Sequence, residues 1–197
     1  EAFTKNSEQK KILGVWFEDE YRRVYPNGST ACNVIGFAQK DGSAGSGGIE
    51  QYYNSSLVGN NGREYGYLTS DSNLERVIKP AQNGNTVVST IDLNIQKICE
   101  KYIDEWQAGN GSNVAAAIVM DPKTGEILAM DTSTRYDLNN PYDLSGYYSQ
   151  EEINAMDDKA KSEAWYKMWR NFCVNDTYEP GSPQKAFTVA GAMEENI

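Results

Sequence analysis

The stretch NVAAAIVMDPKTGEILAMDTST, Asn113 to Thr134, carries the reading of the fold. Two runs of apolar and β-branched residues flank Asp121-Pro122-Lys123-Thr124-Gly125, a turn in which proline presets φ and glycine supplies the positive φ that closes a hairpin. Such a pair is not stable by itself in water and needs a sheet to join. Helical patterns lie on both sides of it. Upstream, Asp92 stands where an N-cap belongs, and from Leu93 the apolar residues Ile95, Ile98, Tyr102, Ile103 and Trp106 follow helical spacing until Gly109 to Gly111 stop them. Downstream, the irregular RYDLNNPYDLS (135–145) leads to a polar helical stretch, Ser149 to Arg170, expected to break near Asp157-Asp158. Beyond the turn Glu179-Pro180-Gly181, Ser182 to Asn196 reads as a helix with Phe187, Val189, Ala190 and Met193 on a buried side.

Toward the amino terminus the pattern is more broken. GVWFEDEYRRVYP, Gly14 to Pro26, mixes aromatic and charged residues as a half-exposed strand does, and Pro26-Asn27-Gly28 closes it. A short helix is expected at Ser29 to Ala38, then a flexible connection without regular structure at KDGSAGSGG (40–48), a second short helix at Ile49 to Leu57 and a turn at GNNG (59–62). Composition shifts again at KPAQNGN (79–85), after which Thr86 to Ile91 is rich in β-branched residues. A boundary there divides the chain into residues 1–85 and 86–197. There is no internal repeat, and the order of elements favours an α+β sheet domain behind a smaller mixed region.

The totals exclude several kinds of chemistry. The chain has 197 residues, 39% of them apolar, enough for a core. Its formal net charge of -10 argues against a nucleic-acid partner, because phosphate-backbone binding needs clustered Lys and Arg. The longest apolar run, Val114 to Met120, is too short to span a bilayer, which reads as a cytosolic protein or one whose anchor has been cut away. Three widely spaced cysteines, Cys32, Cys99 and Cys173, make neither a disulfide framework nor a metal knuckle and read as small buried or incidental residues. No cofactor or metal is implied. Histidine is absent, so no Ser-His-Asp or Cys-His arrangement is available, and a hydroxyl nucleophile needs another base.

YEPGSPQK, Tyr178 to Lys185, offers one. If Ser182 opens a helix, Lys185 lies one turn on and nearly on the same face, so its amine can approach the hydroxyl. A lysine near a second cation or in a dry pocket gives up its proton more readily and can then accept the one on serine. The helix N-terminus favours the negative charge that develops at the nucleophile. The chemistry would be acyl transfer through a serine ester. Spacing alone does not decide between this and a bland N-cap, since Ser7-Glu8-Gln9-Lys10 repeats the pattern in a polar leader.

The surrounding residues add a resemblance. WRNFCVNDTYEPGSPQKAFTVAGAMEEN (169–196) is similar to the segment around the active-site serine of class B penicillin-binding proteins, where Glu-Pro-Gly-Ser-x-x-Lys precedes a threonine and small apolar residues. RVYPNGSTACNVIGF, GGIEQYYNSSLVGNNG, TVVSTIDLNIQKICEKYI and AAAIVMDPKTGEILAMDT agree in order, so the resemblance covers nearly all of residues 12–197. It implies a membrane-anchored, extracytoplasmic peptidoglycan D,D-transpeptidase, with a pedestal or dimerisation region over 1–85 and the start of a transpeptidase domain over 86–197. It implies Ser182 as the acylated nucleophile and Lys185 as its general base. It also implies D-Ala-D-Ala stem peptides and β-lactams as ligands, and cell-wall synthesis proteins or a second copy of the chain as partners.

Three departures accompany it. Pro183 and Gln184 stand where the family usually has Thr-Phe. The polar helical stretch from Tyr147 to Trp165 is longer than in the commonest members. Ser-x-Asn, with which the family completes its site, occurs nowhere in the chain, and the one Lys-Thr-Gly, Lys123 to Gly125, precedes the serine and belongs to the hairpin turn. The sequence therefore reads as an inactive piece of a larger enzyme. The competing readings are a β-lactam sensor, a non-catalytic interaction module, and a secreted glycoprotein suggested only by Asn27-Gly28-Ser29 and Asn175-Asp176-Thr177.

Overall fold

The computed structural model describes residues 22–39, 42, 44–68 and 74–195. Most of the expected strand at 14–26, and the second Ser-x-x-Lys at Ser7, lie outside them. After an irregular lead from residue 22, the first helix among the described residues is only α1 (Cys32–Ile35), not the longer Ser29–Ala38 that the sequence suggests. Gly36 ends it with φ 72°, and a Cβ there would sit 2.0 Å from the Gly47 carbonyl oxygen, so the chain turns where only glycine fits. The next residues form β1 (Phe37–Ala38), antiparallel to β2 (Gly45–Ser46), which gives part of the glycine-rich connection a regular structure that its composition hides.

The expected helix 49–57 is divided at Tyr53 into α2 (Gly48–Tyr52) and α3 (Asn54–Leu57). A hairpin follows that the sequence reading does not contain: β3 (Arg63–Leu68) against β4 (Leu74–Lys79), in full antiparallel register from Arg63↔Lys79 to Leu68↔Leu74. An Arg76–Glu64 ion pair and a hydrogen bond from Tyr67 Oη to Glu75 at 2.7 Å cross it. Asn60, in the expected GNNG turn, bridges to Gln82 beside this hairpin.

Thr86 to Ile91 forms no strand despite its β-branched residues, and is mostly exposed. It only touches the sheet edge at its end, where Thr90 Oγ1 donates to the Ile127 carbonyl at 2.7 Å and the Asp92 amide to that of Leu128 at 2.8 Å. The elements beyond it follow the sequence reading closely. Asp92 caps α4 (Leu93–Gly109) by accepting from the Asn94 and Ile95 amides at 2.8 and 3.0 Å. The hairpin is β5 (Ala116–Met120) with β6 (Ile127–Thr132), shifted by a bulge at Val119/Met120.

The polar helical stretch breaks where expected, into α5 (Gln150–Ala155), opened by a capping box of Ser149 and Glu152, and α6 (Asp158–Trp169), capped by Asp157. Then come α7 (Phe172–Asn175) and α8 (Gln184–Glu194). The core joins both ends of the described chain: Cys32 and Phe37 pack with Tyr136, Leu138 and Leu144 of the irregular segment and with Ala164 and Met168 of α6. No helix among the described residues is long and apolar enough to cross a membrane. None of the groups of His, Cys, Asp and Glu among them could hold a metal ion.

Candidate active site

Gln96 and Arg135 tie β6 to α4, and α7, upstream of the serine segment, packs on the β5–β6 hairpin. Gln96 is fully buried on α4 and pairs with the open edge of β6: its Oε1 accepts from the Met130 amide at 3.0 Å and its Nε2 donates to the Met130 carbonyl at 3.2 Å. The side-chain amide thus takes the place of a neighbouring strand. Gln96 also donates to Glu100 at 3.0 Å, and Glu100 accepts from the Ala31 amide at 3.0 Å, tying α4 to the start of α1.

Arg135 holds Asp131 of β6 in a bidentate grip, with Nε 3.0 Å from both carboxylate oxygens and Nη2 2.6 Å from Oδ2. It reaches α4 as well, through Asp104 at 2.6 Å and the Glu100 carbonyl at 3.0 Å. Burial pushes the Asp131 carboxyl up, against the pull of Arg135. Burial also raises the Cys32 thiol, to about 12, so this cysteine stays a neutral core residue. Cys99 and Cys173 are likewise raised, chiefly by burial.

Two segments singled out in the sequence also meet one another. Arg23 of RVYPNG donates to Glu50 of GGIEQYYN at 2.7 Å, and Tyr25 Oη donates to the same carboxylate at 3.2 Å. The link from here to the serine runs through asparagines. Asn33 Nδ2 donates to the Arg170 carbonyl at 3.1 Å, and Asn171 Nδ2 donates back to the Asn33 carbonyl at 3.3 Å. Asn171 also caps α7 through the Cys173 amide at 3.0 Å, and Arg170 closes the helix by pairing with Asp176 at 2.7 Å and the Asn175 carbonyl at 2.6 Å. None of these positioning residues stands out in the sequence, because each is polar, ordinary in type, and paired with a residue far along the chain.

From α7 the chain runs exposed to Gly181, whose φ of 59° makes the turn into α8. Ser182 lies two residues ahead of the first helical residue, Gln184, and the N-cap is Pro183, which makes no side-chain cap bond. The helix thus begins one residue later than a cap at Ser182 would start it, although Pro183 already has helical dihedrals, φ -54° and ψ -28°. The first turn is tight, with the Gln184 amide donating to the Gly181 carbonyl at 3.2 Å and the Lys185 amide to that of Ser182 at 3.0 Å. Serine and lysine thus share a turn. Among the described residues no backbone carbonyl accepts from the Ser182 amide, and no side-chain bond joins Ser182 to Lys185.

Nor is there a dry pocket around the lysine among the described residues. Ser182 and Lys185 are exposed, and so is the α8 face expected to be buried: Phe187 is 72% exposed, with Val189 and Met193 also open to solvent. Nothing described packs over it. Lys123-Thr124-Gly125 stands apart as the β5–β6 turn, where Asp121 Oδ1 accepts from the Lys123 amide at 2.8 Å and Gly125 takes φ 78°. Its residues are consumed by turn geometry, as the sequence reading holds.

Comparison with known proteins places this arrangement. A family model described as Penicillin-binding Protein dimerisation domain matches residues 1–89, and one described as Penicillin binding protein transpeptidase domain matches residues 115–197. The chain belongs to the class B penicillin-binding proteins. The probable peptidoglycan D,D-transpeptidase PenA of Neisseria gonorrhoeae is 31% identical over 96% of this chain and 30% of its own length. The stage V sporulation protein D of Bacillus subtilis is 31% identical over 93% of the chain and 26% of its own length. Among solved structures, penicillin-binding protein 2X of Streptococcus thermophilus superimposes with a TM-score of 0.68 at 27% identity, over 98% of this chain and 27% of that one. This penicillin-binding protein chain thus spans about 30% of the length of the curated relatives it matches.

Proposed function

We propose that the protein carrying this chain is a serine-type peptidoglycan D,D-transpeptidase, with Ser182 as nucleophile and Lys185 as general base. The observation that carries the reading is the Gly181–Lys185 turn, which sets both residues on one helical turn and leaves the Ser182 amide unused by other backbone groups. Ser182 Oγ attacks the carbonyl carbon of the penultimate D-Ala of a stem peptide while Lys185 Nζ takes its proton. The Ser182 N–H faces the oxyanion as it forms; Pro183, which has no N–H, takes nothing from that role. The C–N bond then breaks, D-Ala leaves with the proton returned to its nitrogen, and the amine of a neighbouring stem resolves the ester.

β-Lactams enter the same path and stop at the ester. The pocket that covers Lys185 and grips the substrate carboxylate comes from groups outside the described residues, of the Ser-x-Asn and downstream Lys-Thr-Gly kind. Self-association through residues 1–89, contacts with cell-wall synthesis proteins and an anchored, extracytoplasmic location belong to this proposal, supported by the dimerisation-domain match and the names of the relatives. Release of D-Ala from a D-Ala-D-Ala pentapeptide by the full-length protein tests it. Release that Ser182→Ala abolishes supports the reading; release undiminished by Ser182→Ala contradicts it.

A further inference from the structure

Away from the serine, α6 and the β1–β2 ribbon enclose a groove of about 930 Å³, within the ~300–1,000 Å³ typical of small-ligand sites. One wall is aromatic. Trp165 and Trp169 lie one turn apart on α6 with their ring planes within 8° of parallel, while Tyr142 and Tyr166 meet Trp169 edge-on at 5.2 and 5.7 Å. Both indole N–H groups are already spent on the backbone, Trp165 on the Tyr142 carbonyl at 2.8 Å and Trp169 on that of Pro141 at 2.7 Å. The rings are thereby held in place before any ligand arrives.

The rest of the lining is polar and uncharged, with the side chains of Gln39 beside β1, Gln51 of α2, Asn175 of α7 and Ser162, which shares α6 with the tryptophans. Gln51 spends its Oε1 on the Gly47 amide at 3.1 Å, and its Nε2 is the group it has to offer a ligand. Among the described residues no carboxylate lines the groove, although the chain carries 28 acidic residues, and the one cation among them that does, Arg170, is neutralised by Asp176. Aromatic rings beside neutral amides and a hydroxyl suit a ligand that is apolar on its ring faces, polar at its rim and uncharged. A pyranose is such a ligand: its C–H faces sit against the negative face of an aromatic ring, and its hydroxyl and acetamido groups pair with amides.

We propose that this groove binds a short stretch of β-linked N-acetylated amino sugar, holding a glycan strand at a site separate from the serine. The choice of a cell-wall sugar rests on the transpeptidase reading; the groove does not. The test is titration of the full-length protein with N,N′,N″,N‴-tetraacetylchitotetraose, followed by tryptophan fluorescence and calorimetry. Tyr166, 71% exposed, can be removed without emptying the core, so Tyr166→Ala and Gln51→Ala are the variants of choice. We expect saturable binding with a shifted tryptophan emission, weakened about 10-fold by Tyr166→Ala, as the loss of one stacking ring implies. Absence of saturation up to about 10 mM, affinity untouched by both variants, or displacement of the sugar by an apolar peptide would overturn the proposal. Penicillin acylation of Ser182, measured on the same samples, separates the two claims: acylation without sugar binding refutes only the groove.

Discussion

Replacing Arg135 by methionine removes the tie between β6 and α4 while keeping the length of the side chain. Asp131 is then left with a carboxylate 2% exposed and without the guanidinium that met both of its oxygens within 3.0 Å. An unpaired buried charge of this kind costs about 3–5 kcal/mol. The Asp104 contact adds little, because that carboxylate is 63% exposed and its attraction is screened. With a urea slope of about 2 kcal/mol/M, the unfolding midpoint should fall by roughly 1.5–2.5 M. Urea titrations followed by circular dichroism measure this directly.

The partner substitution sharpens the test. In Asp131→Asn/Arg135→Met the buried group is a neutral amide, which costs less to leave unpaired, so at least about half of the loss should return. The pH response has a definite sign. Burial raises the folded-state pKa of Asp131, Glu100 adds to the rise, and without Arg135 only a backbone hydrogen bond from Thr132 opposes it. A raised pKa makes the folded state the better proton binder, so the deficit should shrink as pH falls toward the ordinary carboxylate value of about 3.9 and grow as pH rises. A loss below about 1 kcal/mol, or a double variant no better than Arg135→Met alone, would refute the argument that Asp131 depends on this arginine.

Three further predictions bear on the serine segment and the core. Lys185→Ala should slow acylation by a fluorescent penicillin about 10²–10⁴-fold in the full-length protein without changing its fold by circular dichroism, and a normal rate would remove Lys185 from its role. Gly181→Ala places a Cβ in open space but forces φ 59° on an L-residue, so it should either keep the turn at a cost of about 1–2 kcal/mol, read as a lowered melting temperature, or relax the turn and re-aim Ser182, read as slower acylation at an unchanged melting temperature. Cys32 should resist an aromatic disulfide reagent at pH 8 until the protein is unfolded, and because its folded pKa is raised, its stabilising contribution is present below the ordinary thiol value of about 8.5 and is lost as pH rises toward about 12. Rapid labelling of native Cys32 would contradict its burial.

What was legible in the sequence was local. The Asp92 cap, the Asp121–Gly125 turn and the Asp157 break are set by one or two residues acting on their neighbours, and the structure has all three. What was hidden depends on distant partners. Thr86–Ile91 has strand-like residues but only the end of it reaches an edge to pair with, whereas Gly45–Ser46 lacks them and pairs because the chain turns back between Gln39 and Ala44, whose amide and carbonyl meet at 2.8 Å. The β3–β4 hairpin leaves little trace in the sequence because its two faces are largely solvated and give no apolar alternation. At the site, the Ser182–Lys185 spacing was readable; the asparagine relay through Asn33 and Asn171, and the missing cover over Phe187, were not.

The central claim is that Ser182, and no other serine, carries the acyl group. Digestion and mass spectrometry of the penicillin-treated full-length protein locate the adduct. The account predicts one β-lactam mass on the peptide containing Tyr178 to Lys185, absent in Ser182→Ala and retained in Lys123→Ala. An adduct on Ser7, or one that persists after Ser182→Ala, would contradict it.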